Sequence, residues 1–408
     1  MRSVDEQLAR VLDTAVRPAP IRVAISEAQG MLCAEEVLAQ RALPGFDQAA
    51  VDGYAVRSVD VSGASWNDPV VLPVVGEIAA GSRQPHRLQP GQTVRVGTGA
   101  PLPTLADAVV PTADTDGQPA KVSVYRAVPS AAYVRRIGED VAPGDTAARR
   151  GAVIAAAQVG LLAAVGRERV LVHPRPRVAV LSVGDELVDV ARHPGVGEVY
   201  DVNSYALTAA ARDAGADATR VGLVPREPAA LRVAVQDYLT NSEILVISSG
   251  IGGAAGDELL DTLGQLGDID GTRVAMHPGS VQGFGRLGEE KVPTFLLPAS
   301  PASALVLFEV FVRPLIRTML GRNDPRRRRI SARLLSPVTS IPGRRGYLRG
   351  RLLREEATGD YLVQPLGGSG THRLSVLAEA NCLIELAEQT TGVTVGQQVT
   401  VVFLAPRN

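Results

Sequence analysis

Carboxylates set in glycine-rich turns, with arginines close by, are the residues of this chain with the most chemistry to offer. "PGFDQAAVDGYAV" (44–56) carries Asp47 and Asp52, and "VRRIGEDVAPGD" (134–145) sets Arg135 and Arg136 beside Glu139 and Asp140. "LSVGDEL" (181–187) ends an apolar run in Asp185 and Glu186. "SSGIGGAAGDELLDTL" (248–263) passes from another apolar run through a glycine turn to Asp257, at the head of a helical pattern. A strand, a glycine turn and a helix start make a cradle for an anion or polar ligand, because free backbone N–H groups and the positive end of the helix dipole face it. Such carboxylates are hard donors suited to magnesium, and the arginines and glycine loops suit an anionic substrate. Turns and surface ion pairs account for the same residues, and spacing alone leaves both readings open. "LSVGDEL" also suits a helix N-terminal turn, where acids favour the dipole. "DVNS" (201–204) suits the N-cap of the helix that follows it.

Other templates do not fit. The glycines at 250, 252, 253 and 256 are not followed by Lys-Ser/Thr, so there is no Walker A loop, and their phasing is a weak dinucleotide fingerprint. There is no G-x-S-x-G elbow, and the five histidines show no zinc spacing.

The elements that must position these residues follow from the hydrophobic pattern. From residue 177 the rhythm is strand–helix–strand: "RVAVLSV", "NSYALTAAARDAG", "VGLV", "PAALRVAVQDYL", "EILVIS", "DELLDTLGQL", then "TRVAM", "TFLLPA" and one long helix over "SPASALVLFEVFVRPLIRTML". Continuously apolar strands alternating with helices predict a doubly wound, mainly parallel sheet. Ligands bind outside the carboxyl ends of such strands, so the loops after residues 183, 249 and 298 are where chemistry is expected. Ser3-Val4-Asp5-Glu6 reads as a capping box opening the first helix. Residues 156–166 read as a helix closed by Gly166, and 60–135 as short Val-rich strands between Pro/Gly turns. "NDPRRRR" (323–329) reads as a linker whose arginines face solvent or bind an anion. Short strand-like pieces then form a separate small, barrel-like β domain. The expected division is 1–58 with 136–170, an inserted β-rich domain at 59–135, an α/β domain at 171–322, and a β domain at 329–408.

Composition bounds the rest. At 408 residues the chain exceeds what one core usually supports. Net charge is −1, from 42 basic and 43 acidic residues, so no general attraction to nucleic acid or membrane surfaces follows. Cys33 and Cys382 have no CxxC spacing and read as buried thiols of a reducing compartment. Acids interrupt the opening "MRSVDEQLARVL", which is unlike a secretion signal, and no apolar run is long enough to span a membrane. The expected location is cytoplasmic.

Taken in order, these segments resemble the molybdopterin molybdenumtransferase family (MoeA and the E domain of gephyrin) over essentially the whole chain. The resemblance is carried by "PGFDQAAVDGYAVR", "AAGSRQPHRLQPGQTVRVGTGAPLPTLADAVV", "VRRIGEDVAPGD", "VGLLAAVG", "PRPRVAVLSVGDEL", "YDVNS", "HPG", "LPASPAS" and "GGSGTHRLSVLAEAN". It implies an elongated, L-shaped, four-domain subunit in a homodimer, with the α/β domain of the molybdopterin-binding type. The active site would lie between the α/β domain of one subunit and the N-terminal part of the other. The implied reaction inserts molybdate into adenylylated molybdopterin and releases AMP with the help of Mg2+. Carried over by motif, Asp52, Thr98, Asp140 and Glu186 would be catalytic. Ser249, Gly250, Asp257, Arg273, Pro298, Ser300, Pro301 and Ser375 would bind substrate, and Glu186 and Asp257 would meet the magnesium.

The chain departs from the family pattern at the expected ligand end of the sheet. The family's S-G-G-x-S-x-G loop reads Ser249-Gly250-Ile251-Gly252-Gly253-Ala254-Ala255, and K-P-G-K-P reads His277-Pro278-Gly279-Ser280-Val281. P-G-N-P reads Pro298-Ala299-Ser300-Pro301, the paired acids before the fourth helix region read Arg226-Glu227, and Val183 stands for a threonine. Losing two lysines removes point charges suited to phosphate or molybdate. The alternative reading is therefore a gephyrin-like dimeric scaffold holding a partner peptide, such as the tail of the cell-division protein FtsZ or of a membrane receptor.

Overall fold

In a computed structural model, residues 1–83, 87–367 and 373–404 are described. The chain divides into two compact units, Met1–Ile21 with His173–Asn408, and Arg22–Val172.

The first unit is built on a six-stranded sheet. Its order is Asp217–Val224, Arg177–Val183, Ile244–Ser249, Val292–Pro298, Gly283–Leu287 and Gly267–Asp270. The first four strands are parallel and the last two antiparallel. The apolar runs form central strands because both faces are covered. Val178, Val180, Ile244 and Val246 turn to one core, with the helices Val4–Leu12 and Asn203–Ala214. Ala179, Leu181, Leu245 and Ile247 turn to the other, with Pro228–Leu239 and Ala254–Gly264. This is the doubly wound sheet expected from the alternation, and its central strands end at 183, 249 and 298. The capping box also forms: Glu6 N–H donates to Ser3 Oγ at 3.2 Å, and Ser3 N–H to Glu6 Oε2 at 2.8 Å.

Three local expectations are corrected, and two strands went unread. No helix follows "GDEL"; the chain turns into Leu187–Val188, pairs with Val199–Tyr200, and begins its helix only at Asn203, because Pro194, Gly195 and Gly197 interrupt any earlier one. The long helix after Pro301 contains a π-helical turn at Phe308–Val312. Pro314 lacks the N–H for the normal bond and its ring crowds the preceding turn, which locally widens the helix. "TRVAM" does not join the sheet; Met276–His277 pairs with Arg345–Gly346 instead. The two antiparallel strands were hidden by their glycines, and Gly285 is required there, since a Cβ would lie 2.1 Å from the Asp268 carbonyl oxygen.

The C-terminal strands Arg345–Arg354, Tyr361–Pro365, Arg329–Leu334, Gln398–Phe403 and Cys382–Leu386 close into a five-stranded ring. Cys382 is buried among Val363, Ile384 and Val401. Two arginines of the 323–329 run are ion-paired, Arg327 half-buried and Arg329 exposed at the start of the barrel. Arg327 pairs with Glu309 at 2.8 Å and Asp213 at 3.1 Å, and Arg329 with Glu385 at 2.8 Å.

The second unit holds a three-stranded sheet (Ile21–Ala24, Arg169–His173, Leu32–Cys33) whose core includes Leu162 of the helix Ala156–Ala164. It also holds a five-stranded sheet in the order Ala108–Pro111, Gly53–Val56, Thr93–Val96, Val70–Ile78, Lys121–Val124.

Candidate active site

In the Arg22–Val172 unit, short ladders bring three motifs together. Gln48–Ala49 pairs with Val134–Arg135, Ala49 N–H donates to the Ala100 carbonyl at 3.0 Å, and Gly99 N–H to the Ala49 carbonyl at 2.8 Å. These contacts place Asp52 against Thr98. The Thr98 N–H and hydroxyl both donate to Asp52 Oδ1, at 2.6 and 2.8 Å. The backbone donor, then the hydroxyl, holds this carboxyl below the usual carboxylate range. Both residues are exposed, so Asp52 is an oriented anion open to a ligand. Arg136 pairs with Asp47 at 2.6 Å, and the Ile137 N–H donates to Asp47 Oδ1 at 2.8 Å. Asp140 lies beside the separate Leu43–Val141 bridge, its N–H donating to the Leu43 carbonyl at 3.0 Å, and its side chain is exposed.

In the other unit the parallel register sets Val183 beside Ser249 and Ser249 beside Pro298, so three loops leave the sheet side by side. Between them lies a cavity of about 260 Å³, lined by Val183, Glu186, Asp201, Asn203, Ser249 and Pro301 among others. The glycine loop closes tightly over the first turn of Ala254–Gly264. Gly253 has φ +68°, and a Cβ on Gly256 would lie 2.6 Å from the Ile251 carbonyl. Only glycine permits that approach.

Pro298 and Ser300 belong to the loop that supplies Ala299 and Pro301 to this cavity. Gly250 follows Ser249, and Asp257 stands exposed on the first turn of the adjoining helix. Neither lines the cavity. Arg273 and Ser375 are not brought to it either: Arg273 is exposed beside the N-terminus, with the Arg2 N–H donating to its carbonyl at 2.9 Å, and Ser375 lies exposed on the short helix Leu374–Glu379. Gln84–His86 and Gly368–His372, within two of the quoted motifs, lie outside the described residues. Among the described residues no set of three His, Cys, Asp or Glu side chains gathers to hold a metal ion.

The spacing of motifs missed Asp201, Asn203 and Arg226. Asp201 is buried and accepts from Ser182 Oγ at 2.7 Å, from the Ser204 N–H at 3.1 Å and from Ser204 Oγ, with Arg220 at 3.9 Å. It caps the helix, as "DVNS" suggests, and also forms a cavity wall. Arg226 Nη2 reaches Ser249 Oγ at 3.5 Å, placing a cation at the glycine loop where the sequence shows only a lost acid.

Residues 2–166 match the MoeA N-terminal region (domains I and II), 179–318 a probable molybdopterin binding domain, and 331–404 the MoeA C-terminal region (domain IV). Molybdopterin molybdenumtransferase 1 of Mycobacterium tuberculosis is 58% identical, over 99% of both chains. The chain belongs to the molybdopterin molybdenumtransferase family. Molybdopterin molybdenumtransferase 2 of the same species is 38% identical, over 98% of this chain and 99% of the relative. The crystal structure of a molybdopterin biosynthesis MoeA protein from Pyrococcus horikoshii superposes with a TM-score of 0.81 at 30% identity, covering 98% of each chain. The MoeA fold therefore holds across the whole molecule.

Proposed function

We propose that this protein is a molybdopterin molybdenumtransferase, inserting molybdate into adenylylated molybdopterin with release of AMP. The cavity beyond the strand ends, with Glu186 and Ser249 in its wall and a glycine loop beside it, is the observation that carries this reading. Near identity of length with relatives that bear the transferase name favours catalysis over the peptide-binding scaffold. No helix among the described residues is long and apolar enough to cross a membrane, which fits a cytoplasmic enzyme.

The chain's own groups have separable tasks in this reaction. The glycine loop and the N-terminus of Ala254–Gly264 present N–H groups to the phosphates, as helix starts do for anions. Arg226, held against Ser249, supplies a cation at that loop in place of the lysines that the family pattern carries elsewhere. Asp52 stays ionised at neutral pH through Thr98, so it can orient a water or molybdate oxygen and take a proton at its carboxylate. Asp140 supplies a second exposed carboxylate in the same unit. Glu186 and Asp257 are hard oxygen donors suited to Mg2+, which uses one or two carboxylates together with substrate phosphates. Bound there, magnesium would offset phosphate charge on the anhydride.

We further propose a homodimer as the working form, which light scattering of the purified chain tests. Expression in a bacterium lacking its own molybdenumtransferase tests the activity. Restored nitrate reductase activity is expected. Failure at normal expression, together with saturable binding of a cell-division or receptor peptide, would favour the scaffold.

A further inference from the structure

Two helix ends meet in the unit that carries the doubly wound sheet. Asn203–Ala214 closes at Gly215, where a Cβ would lie 2.8 Å from Leu320 Cδ1, and Leu320 caps the end of Arg313–Met319. Four arginines gather around this junction with two acids. Arg313 reaches Asp213 Oδ2 at 2.8 Å and Glu309 Oε2 at 3.8 Å, and Arg327 reaches the same two oxygens at 3.1 and 2.8 Å. Both acids are thereby taken.

Arg317 and Arg322 are left over. Arg317 stands one turn beyond Arg313, and the Arg322 N–H donates to the Arg317 carbonyl at 3.0 Å. Neither guanidinium makes an ion pair or a hydrogen bond among the described residues. Both side chains are half-buried, and Arg322 Nε is closed off from solvent without an acceptor. Burial first, then the charges of Arg322, Arg313 and Arg327, pushes Arg317 below its ordinary value, as happens among crowded cations.

Cations at a helix C-terminus are favoured by the dipole, but each end supplies only roughly half a negative charge. Two ends and two acids therefore offset about three of the four positive charges. A water could accept from Arg322 Nε, yet it would leave that excess in place. An oxyanion brings both missing things, negative charge and several acceptor oxygens for the forked guanidinium donors.

We propose that Arg317 and Arg322 form an anion site at this junction, taking a tetrahedral oxyanion of the phosphate class. The ion is either free or the phosphoryl end of a larger molecule. The site is distinct from the cavity beyond the strand ends: Asn203 lines that cavity, and the junction lies at the other end of its twelve-residue helix, roughly 16 Å away. It does not depend on the transferase reading.

Thermal unfolding of the full-length chain, followed by circular dichroism, tests this in inorganic phosphate and in chloride at equal ionic strength. Phosphate stabilises folded chains generally by exclusion from their surfaces, so the reading is the contrast between wild type and Arg317→Gln or Arg322→Gln. At ten times its dissociation constant, phosphate should raise the wild-type midpoint by roughly 3–6 °C more than that of either variant. Calorimetric titration with phosphate should show affinity falling roughly tenfold or more in each variant, the usual worth of a hydrogen bond to a charged group. Two variants keep the test decisive if one of them does not fold. Ribose 5-phosphate separates the sources: binding as tight as inorganic phosphate points to a phosphoryl group on a larger molecule, and weaker binding to the free ion. A variant midpoint that differs from wild type by the same amount in both salts means that the arginines only cap helix ends, and overturns the proposal. Phosphate binding unchanged in both variants places the ion elsewhere and also overturns it, as does absence of phosphate binding to the wild type.

Discussion

Replacing Asp201 by alanine tests whether the cavity is built on a buried carboxylate. Three donors converge on this side chain, two serine hydroxyls and the Ser204 N–H, with Arg220 alongside at 3.9 Å. Asp201 is 1% exposed, and Ser182 and Ser204 are fully buried, so water does not readily replace it. The Ser204 hydroxyl can turn to a helix carbonyl, but the Ser182 hydroxyl and the Ser204 N–H are left without their acceptor. At about 1–3 kcal/mol for each of these two orphaned groups, the loss is roughly 2–6 kcal/mol. A unit of this size shifts by about 2–4 °C for each kcal/mol, so its midpoint should fall by roughly 4–24 °C. Far-UV circular dichroism measures that transition. The only tryptophan, Trp66, lies in the Arg22–Val172 unit, so its emission reports that unit and is expected to keep its midpoint. Asp201→Asn, which retains an acceptor and loses the charge, should fall between. A shift of less than about 2 °C in Asp201→Ala would refute the reasoning, because the three donors would then have found other partners at no cost.

Asp52→Ala removes an exposed carboxylate that Thr98 orients. Molybdenum insertion should drop by at least roughly 100-fold, while the thermal midpoint stays put; equal activity would remove Asp52 from the chemistry. Gly256→Ala places a Cβ 2.6 Å from the Ile251 carbonyl, so the glycine loop must shift. About 1–3 kcal/mol of stability and most phosphate affinity should be lost, read by thermal unfolding and by AMP titration. His277 is held below its ordinary 6.5 first by burial, then by Arg344 and Arg349. The unfolded chain therefore takes up this proton at higher pH than the folded one. The His277 contribution to stability is complete above about pH 6.5, declines as pH falls through that value, and levels off below the folded pKa. Urea midpoints between pH 5 and 8 should show this slope, and His277→Gln should flatten it.

Much of this architecture was legible in the chain because its signals are local and redundant. "RVAVLSV" and "EILVIS" carry the unbroken apolar runs 178–181 and 244–247, which a strand covered on both faces tolerates, and their carboxyl ends located the site loops. The antiparallel strands Gly283–Leu287 and Gly267–Asp270 were not legible. Their glycines erase the alternation, and their reason for being glycine, close approach of a neighbouring backbone, exists only once the sheet has formed. The pairing of Asp52 with Thr98 was readable as two motifs, but their contact depends on the antiparallel pairing of Gly53 with Val96 and the backbone bonds of Ala49 to Gly99 and Ala100. Arg226 and Asn203 went unread for another reason. Each looks ordinary in sequence, a substituted acid and a helix-cap neighbour, and acquires meaning only from a partner 23 or 45 residues away.

The central claim is that this chain still carries out metal insertion, with its altered loops. Its most direct test is AMP release from adenylylated molybdopterin, followed by chromatography, with the purified chain, magnesium and molybdate. The account predicts AMP release that depends on both molybdate and the protein, with product that activates a cofactor-free molybdoenzyme. A folded preparation that releases no AMP above the protein-free rate contradicts it.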